Sequence, residues 1–155
     1  MKKLFLLLFV LAGFSLSAQT SLGGGVFLNG GATALELNSE FGLADGKFTI
    51  SPSFDYYMGM PEGFSMMAIN ADGHYNLGDP EALNYYPLAG LSYMMFSSSY
   101  EGSSYSVGVT GFNVGGGVSY ALSDSMKLVG ELKYLMVSGF GGLGIHAGIL
   151  FNIGG

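Results

Sequence analysis

The sequence predicts an all-β protein: an eight-stranded antiparallel transmembrane β-barrel that follows a cleaved secretory signal. Three observations carry this expectation. The chain opens on an export signal, the rest alternates apolar and polar residues with period two, and its composition suits lipid better than water.

The export signal comes first. Met1, Lys2 and Lys3 form a short basic segment, and Leu4 to Leu11 is an unbroken apolar run. Small residues Ser15, Ser17 and Ala18 follow, then polar Gln19 and Thr20. Basic, apolar, small is the order of a secretory signal peptide, and the apolar run is too short to span a bilayer. Cleavage after Ser17 or Ala18 divides the chain into a signal at 1–18 and a barrel domain at 19–155. There is no cysteine, hence neither a lipid-attachment cysteine nor a disulfide framework.

Composition narrows the class. Charged residues make up 10% of the chain, hydrophobic residues 49%, and mean hydropathy is +0.43. A soluble domain carries roughly 25% charge. Beyond the signal only Lys47, Lys127 and Lys133 are basic, so three lysines against eleven acids leave a net charge of −8. Nucleic acid is excluded as a partner, because binding it requires basic patches that neutralise phosphates. So apolar a chain needs a membrane-crossing element, yet no apolar run of helical spanning length follows the signal. A closed barrel is the one strand structure that satisfies its backbone in lipid.

The alternation supplies the strands. Phe48, Ile50, Phe54, Tyr56 and Met58 oppose Lys47, Thr49, Ser51, Ser53 and Asp55, with Pro52 interrupting the ladder. Met67, Ile69, Ala71, Tyr75 and Leu77 oppose Asn70, Asp72, His74 and Asn76. Phe112, Val114, Val118, Tyr120 and Leu122 oppose a face rich in glycine, and Leu128, Leu132, Tyr134 and Met136 oppose Lys127, Glu131 and Lys133. Leu143 to Ile153 gives the last strand, with Leu150 out of phase. Segments near 21–28, 32–43 and 86–97 bring the count to eight. Most charges share the polar, glycine-rich face, which argues against a lipocalin-like barrel with an apolar interior and a charged exterior. The remaining rival is a secreted Gly/Ser-rich β-protein.

Turns set the orientation. Asp45-Gly46 reads as a two-residue hairpin pairing Ala44 with Lys47, and Ser123-Asp124-Ser125 as a three-residue turn pairing Leu122 with Met126. Tight turns belong on the periplasmic side. Met60 to Gly63, the serine-rich loop Ser97 to Ser106 with Tyr100, Glu101 and Tyr105, and Ser138 to Gly142 then face outward from the cell. The connection Gly78 to Tyr85 is long for a periplasmic turn. In this register Phe41, Phe48, Tyr75, Tyr120 and Phe151 collect near the periplasmic strand ends as an aromatic girdle. Leu132 and Ile149 point into lipid near mid-membrane, and Gly117 points inward.

The block GGGVSYALSDSMKLVGELKY at 115–134, the tail GLGIHAGILFNI and Tyr86 to Leu91 resemble the OmpA/OmpX-like barrel domains, particularly the Bacteroidetes-type "porin family". The resemblance implies eight strands, a bacterial outer-membrane location, outer-membrane lipid and the barrel-assembly machinery as partners, and surface ligands taken through the outer loops. It implies envelope integrity, adhesion or small-solute passage as roles, and no active site. Such barrels usually end on an aromatic, whereas Phe151 is followed by Asn152-Ile153-Gly154-Gly155.

No catalytic, cofactor or metal constellation stands out. Gly139 to Gly144 has the dinucleotide glycine spacing but is followed by strand alternation rather than a helix. His74 and His146 fall on opposite walls without further metal ligands nearby in sequence. A membrane-embedded, lipid-modifying Ser/His/acid enzyme would need His146 beside the serine-rich rim. The expectation is therefore a non-enzymatic barrel with a structural or adhesive envelope role, with passive solute passage as the alternative. Inside it, Glu36 stands opposite Asp55, and like charges directly opposite destabilise a sheet. A retained proton, a wet lumen or a reaching base would relieve them. The expected lumen network joins Glu36, Asp55, Glu131, Lys133 and His146.

Overall fold

The computed structural model describes residues 19–154, so the signal read at 1–18 lies outside the described residues. Eight strands follow in chain order: β1 (Thr20–Asn29), β2 (Ala32–Leu43), β3 (Phe48–Met58), β4 (Phe64–Tyr75), β5 (Leu83–Tyr100), β6 (Ser103–Ser123), β7 (Met126–Met136) and β8 (Gly142–Gly154). Each pairs antiparallel with the next, and β1 pairs with β8, so the sheet closes on itself. Closure leaves the wall without a free first or last strand, the condition for strands in hydrocarbon. Both described termini lie at one end, here the terminal end. The other is the hairpin end.

The side-chain phases follow the alternation of the sequence. Leu35, Leu37, Ile69, Leu91, Leu132 and Ile145 are exposed on the outer wall, while Glu36, Asn38, Asp55, Asn70, Asp72, His74, Glu131, Lys133 and His146 are buried in the lumen. Leu150, out of phase with its apolar neighbours, is one of several apolar groups that point inward. Glu36 faces Asp55 across the β2–β3 ladder. Pairing on that side lapses opposite Ser51 and Pro52, because proline has no N–H to give.

The turns differ in detail from their sequence signatures. The β2–β3 ladder closes at Leu43 and Phe48, and residues 44–47 form the turn. Ala44, Asp45 and Gly46 are all left-handed, with φ of 50°, 56° and 83°. Lys47 N–H donates to Ala44 O at 3.2 Å across Asp45-Gly46, so the tight turn and its register stand, while the ladder proper ends one pair earlier. At the β6–β7 turn the body register puts Tyr120 opposite Leu128, but a bulge at Leu122 pairs Ser123 with Met126. Leu122 therefore does not face Met126. The long 76–82 connection is built as a continuation of the ladder, since Leu77 N–H donates to Tyr85 O and Asp79 N–H to Leu83 O, both at 3.0 Å.

The largest departure is at the hairpin end. The stretch 97–106 is not a loop. β5 and β6 pair to their tips, Tyr100 with Ser103, and only Glu101-Gly102 turn the chain, with φ of 46° and 79°. Positive φ at both central residues is the hairpin turn whose twist matches its strands. Ser97 and Ser106 hydroxyls lie 2.9 Å apart and those of Ser99 and Ser104 3.3 Å apart, so serine ladders hold one face of this ribbon.

Outward aromatics form two bands. Phe48, Tyr75, Tyr120 and Phe151 are exposed near the terminal end with Phe41 half-buried beside them, and Phe48 and Tyr75 meet edge to face at 5.2 Å. Tyr85 stands among them, on a strand that begins earlier than its sequence signal. A second band contains Tyr56, Tyr93, Phe112 and Tyr134. On β3, β5 and β6 the bands are eight residues apart (48 and 56, 85 and 93, 112 and 120). That is about 27 Å along a strand, or about 20 Å across the membrane at the usual tilt.

Candidate functional site

Two regions carry side chains with chemistry to offer: the lumen and the ribbon tip. The lumen is polar through its middle because β2, β3, β4, β7 and β8 each turn polar residues inward. Glycines opposite them make the room. A Cβ on Gly117 would sit 2.6 Å from the Tyr86 ring, and Cβ atoms on Gly25 and Gly148 would sit 2.6 and 2.8 Å from His146 Nε2.

Glu131 is the hub. Its Oε1 accepts from the Tyr86 hydroxyl at 2.8 Å, and Lys133 Nζ lies 3.4 Å from its Oε2. His74 stacks on Tyr86 with ring centroids 4.2 Å apart and brings Nε2 to 3.6 Å from Glu131. His146 approaches the same carboxylate at 3.8 Å and Glu36 at 3.5 Å, without a hydrogen bond to either. Lys133 Nζ donates to Asp72 Oδ2 at 3.2 Å, and Asp72 Oδ1 accepts from Asn113 at 3.0 Å. Asp55 accepts from Asn70 Nδ2 at 2.9 Å, and Asn70 in turn accepts from Ser92 at 2.6 Å.

The expected members are therefore all inward, but their partners differ from expectation. Lys133 bridges Asp72 and Glu131 rather than reaching the Glu36–Asp55 pair, whose donor is Asn70 on the Asp55 side. Asp72, His74, Tyr86, Asn70 and Asn113 were not expected in the network. The two histidines stand on opposite walls, yet the barrel is narrow enough for both to reach Glu131. Among the described residues no group of three His, Asp or Glu side chains could hold a metal ion.

Both ends of this network are bounded. Toward the hairpin end, Phe27, Ala34, Tyr57, Met66, Ala68, Met94, Leu135 and Val137 form an apolar cluster. Phe140 of the β7–β8 turn lies over it, 5.7 Å from the Tyr57 ring and 6.3 Å from Phe96. Toward the terminal end, a mouth cavity of about 270 Å³ is lined by Glu40, Asn76, Glu81, Lys127 and Asn152 among others, with Lys127 paired to Glu40.

The serine-rich tip and His146 lie far apart. His146 is 1% exposed and lies level with Glu131 and Gly117, more than ten residues along β6 from the serines at the tip. The Gly139 to Gly144 stretch forms the β7–β8 turn and the start of β8, with no helix behind it. At the tip itself Tyr100 is 76% and Tyr105 72% exposed, beside Ser97 in the ladder and Glu101 in the turn.

This closed up-and-down wall, apolar outside and polar within, matches a known family. The model of the outer membrane protein beta-barrel domain covers residues 10–150. The chain belongs to that family. It is a bacterial outer-membrane barrel of the OmpA/OmpX-like group. Solved structures share the fold at low identity. The N-terminal barrel domain of Pseudomonas aeruginosa OprF aligns with a TM-score of 0.74 and 18% identity, over 88% of this chain and all of that one. Neisserial surface protein A aligns at 0.63 and 17%, over 88% and 96%. Ail, the attachment invasion locus protein of Yersinia pestis, aligns at 0.56 and 14%, over 88% and 97%. No curated protein matches the chain by sequence.

Proposed function

We propose that this barrel is a non-catalytic envelope protein whose lumen is a sealed, cross-linked strut and whose hairpin end makes adhesive contacts outside the cell. The observation that carries the reading is the division of labour along the axis. The lumen is filled by an ion-pair network and topped by an apolar cluster, while two tyrosines project from the ribbon tip. An eight-stranded barrel is just wide enough for side chains to fill, so passage of solutes is the weaker reading. Exposed tyrosines give large contact area at low entropy cost.

The structural likeness to Ail, a protein named for attachment and invasion, agrees with an adhesive role. Ail has also been solved with the heparin analogue sucrose octasulfate. A polyanion is not the ligand proposed here. Lys47 and Lys127 lie at the terminal end and Lys133 in the lumen, whereas the hairpin end carries Glu62 and Glu101 and no base.

The test is attachment of cells displaying the barrel. Tyr100→Ser with Tyr105→Ser should reduce attachment several-fold while the folded barrel remains at the same level in the outer membrane. Unchanged attachment would contradict the adhesive reading.

A further inference from the structure

Among the described residues the lumen buries more acid than base. Glu36, Glu40, Asp55, Asp72 and Glu131 are all buried. Two lysines meet them, Lys127 on Glu40 and Lys133 between Asp72 and Glu131. Five carboxylates against two ammonium groups leave three negative charges inside a narrow wall set in hydrocarbon. Burying charge without a partner is costly, so this interior calls for further cations or for protons.

The two histidines stand where such cations belong. His74 on β4 turns Nδ1 toward Glu40 Oε1 of β2 at 3.9 Å and Nε2 toward Glu131 Oε1 of β7 at 3.6 Å. His146 on β8 turns Nε2 toward Glu36 Oε1 of β2 at 3.5 Å and Nδ1 toward Glu131 Oε2 at 3.8 Å. Every ring nitrogen thus looks at a carboxylate oxygen. A neutral imidazole has one N–H and one bare lone pair, so either tautomer would set a lone pair against an anion. An imidazolium carries an N–H on both sides and suits both neighbours. Nε2 of His74 and both nitrogens of His146 are buried without a hydrogen bond, so nothing else engages them. Asp72 of β4 and Lys133 of β7 also act on His74, and Tyr86 of β5 stacks on it. Asp55 of β3, Glu40 and Lys133 also act on His146. At both rings these carboxylates outnumber the one ammonium. The Glu36–Asp55 pair has a need of its own, since Glu36 Oε2 and Asp55 Oδ1 are buried without partners. One proton held between two opposed carboxylates serves both.

From this arrangement we infer that the lumen is cross-linked by protons as well as by lysines: His74 and His146 are imidazolium cations at neutral pH, and Glu36 and Asp55 share one proton. With these three protons four carboxylates meet four cations, and the interior is neutral. The inference goes beyond the strut reading, which needs only the lysine pairs, and it makes the barrel a pH-sensitive device. The folded chain holds protons that the unfolded chain releases near the ordinary histidine value of about 6.5. Stability from the two rings is therefore complete below about pH 6.5 and is lost as the pH rises through the titration of the folded lumen. Both rings bear on Glu131, so losing either proton loosens the hub of the network.

The test uses the whole barrel in phospholipid nanodiscs with its two histidines labelled with 15N. The two nitrogens of an imidazolium resonate close together, whereas the bare nitrogen of a neutral ring lies far downfield. At pH 7.5 both folded rings should show two protonated nitrogens, while the same chain unfolded in urea shows neutral rings. A bare nitrogen in either folded ring at that pH would overturn the inference. Both rings carry the same expectation, so the wild type alone decides it. Urea unfolding from bilayers between pH 7 and 8 gives a second reading. Each retained proton should lower the folding equilibrium constant about tenfold per pH unit, and His74→Gln and His146→Gln should each remove one such factor. Wild-type stability that is flat or rises over that range would equally overturn it.

Discussion

Tyr86 shows what one inward side chain does in this barrel. It fills the space left by Gly117, stacks on His74 and donates a hydrogen bond to Glu131. Tyr86→Phe should keep the shape and lose the bond. A hydrogen bond to a charged group contributes about 1.5–3 kcal/mol, so stability in urea titrations from bilayers should fall by that amount. Tyr85→Phe, whose hydroxyl faces outward, should change it little. Lys133 is a stronger case. Lys133→Met leaves Asp72 and Glu131 buried without their cation, and removing one partner of a buried pair costs about 3–5 kcal/mol. Lys133→Met with Asp72→Asn should recover part of that loss. Equal stability of wild type and Lys133→Met in the same titration would mean the lumen groups are separately hydrated. The sequence pointed Asp72, Glu131 and Lys133 inward by phase alone. It did not pair Lys133 with Asp72, because that contact crosses the lumen from β7 to β4 and depends on strand stagger, which alternation does not encode.

At the scale of the strand, phase and register were legible and ends were not. Two turn signals and the period of two placed Glu36 opposite Asp55 and left Leu132 facing lipid. The strand ends at residues 97–106 were hidden because serine is a weak strand former. They become strand through cross-strand hydroxyl pairs and through Tyr105 and Val107, which keep the alternation. The Ala44 and Leu122 irregularities were equally silent, since each changes the turn without moving the ladder. The outer wall gives a depth-dependent prediction. Leu132, 49% exposed between the aromatic bands, should lose about 2–4 kcal/mol on change to Arg, whereas Phe151→Arg at the band itself should lose about 0–1 kcal/mol. Folding titrations into bilayers would measure both. Gly117→Ser is not a silent inward control for this comparison, because a Cβ there meets Tyr86. Matching losses at Leu132 and Phe151 would mean that the bands do not mark the membrane interfaces.

For the whole molecule, the account joins a closed wall, a lumen cross-linked around Glu131 and an apolar cluster that seals the hairpin end. In the proposed function each part removes a route for water or ions, which leaves the outer hairpin end to make the contacts. The most direct test is ion conductance across planar bilayers holding the reconstituted chain, with its folded state verified by heat-dependent gel mobility. The account predicts no long-lived conducting state for the wild type. It predicts the same for Phe140→Ala, because Phe27, Tyr57 and Met94 still close the lumen beneath that ring. Stable, stepwise openings of the folded wild-type barrel would contradict it.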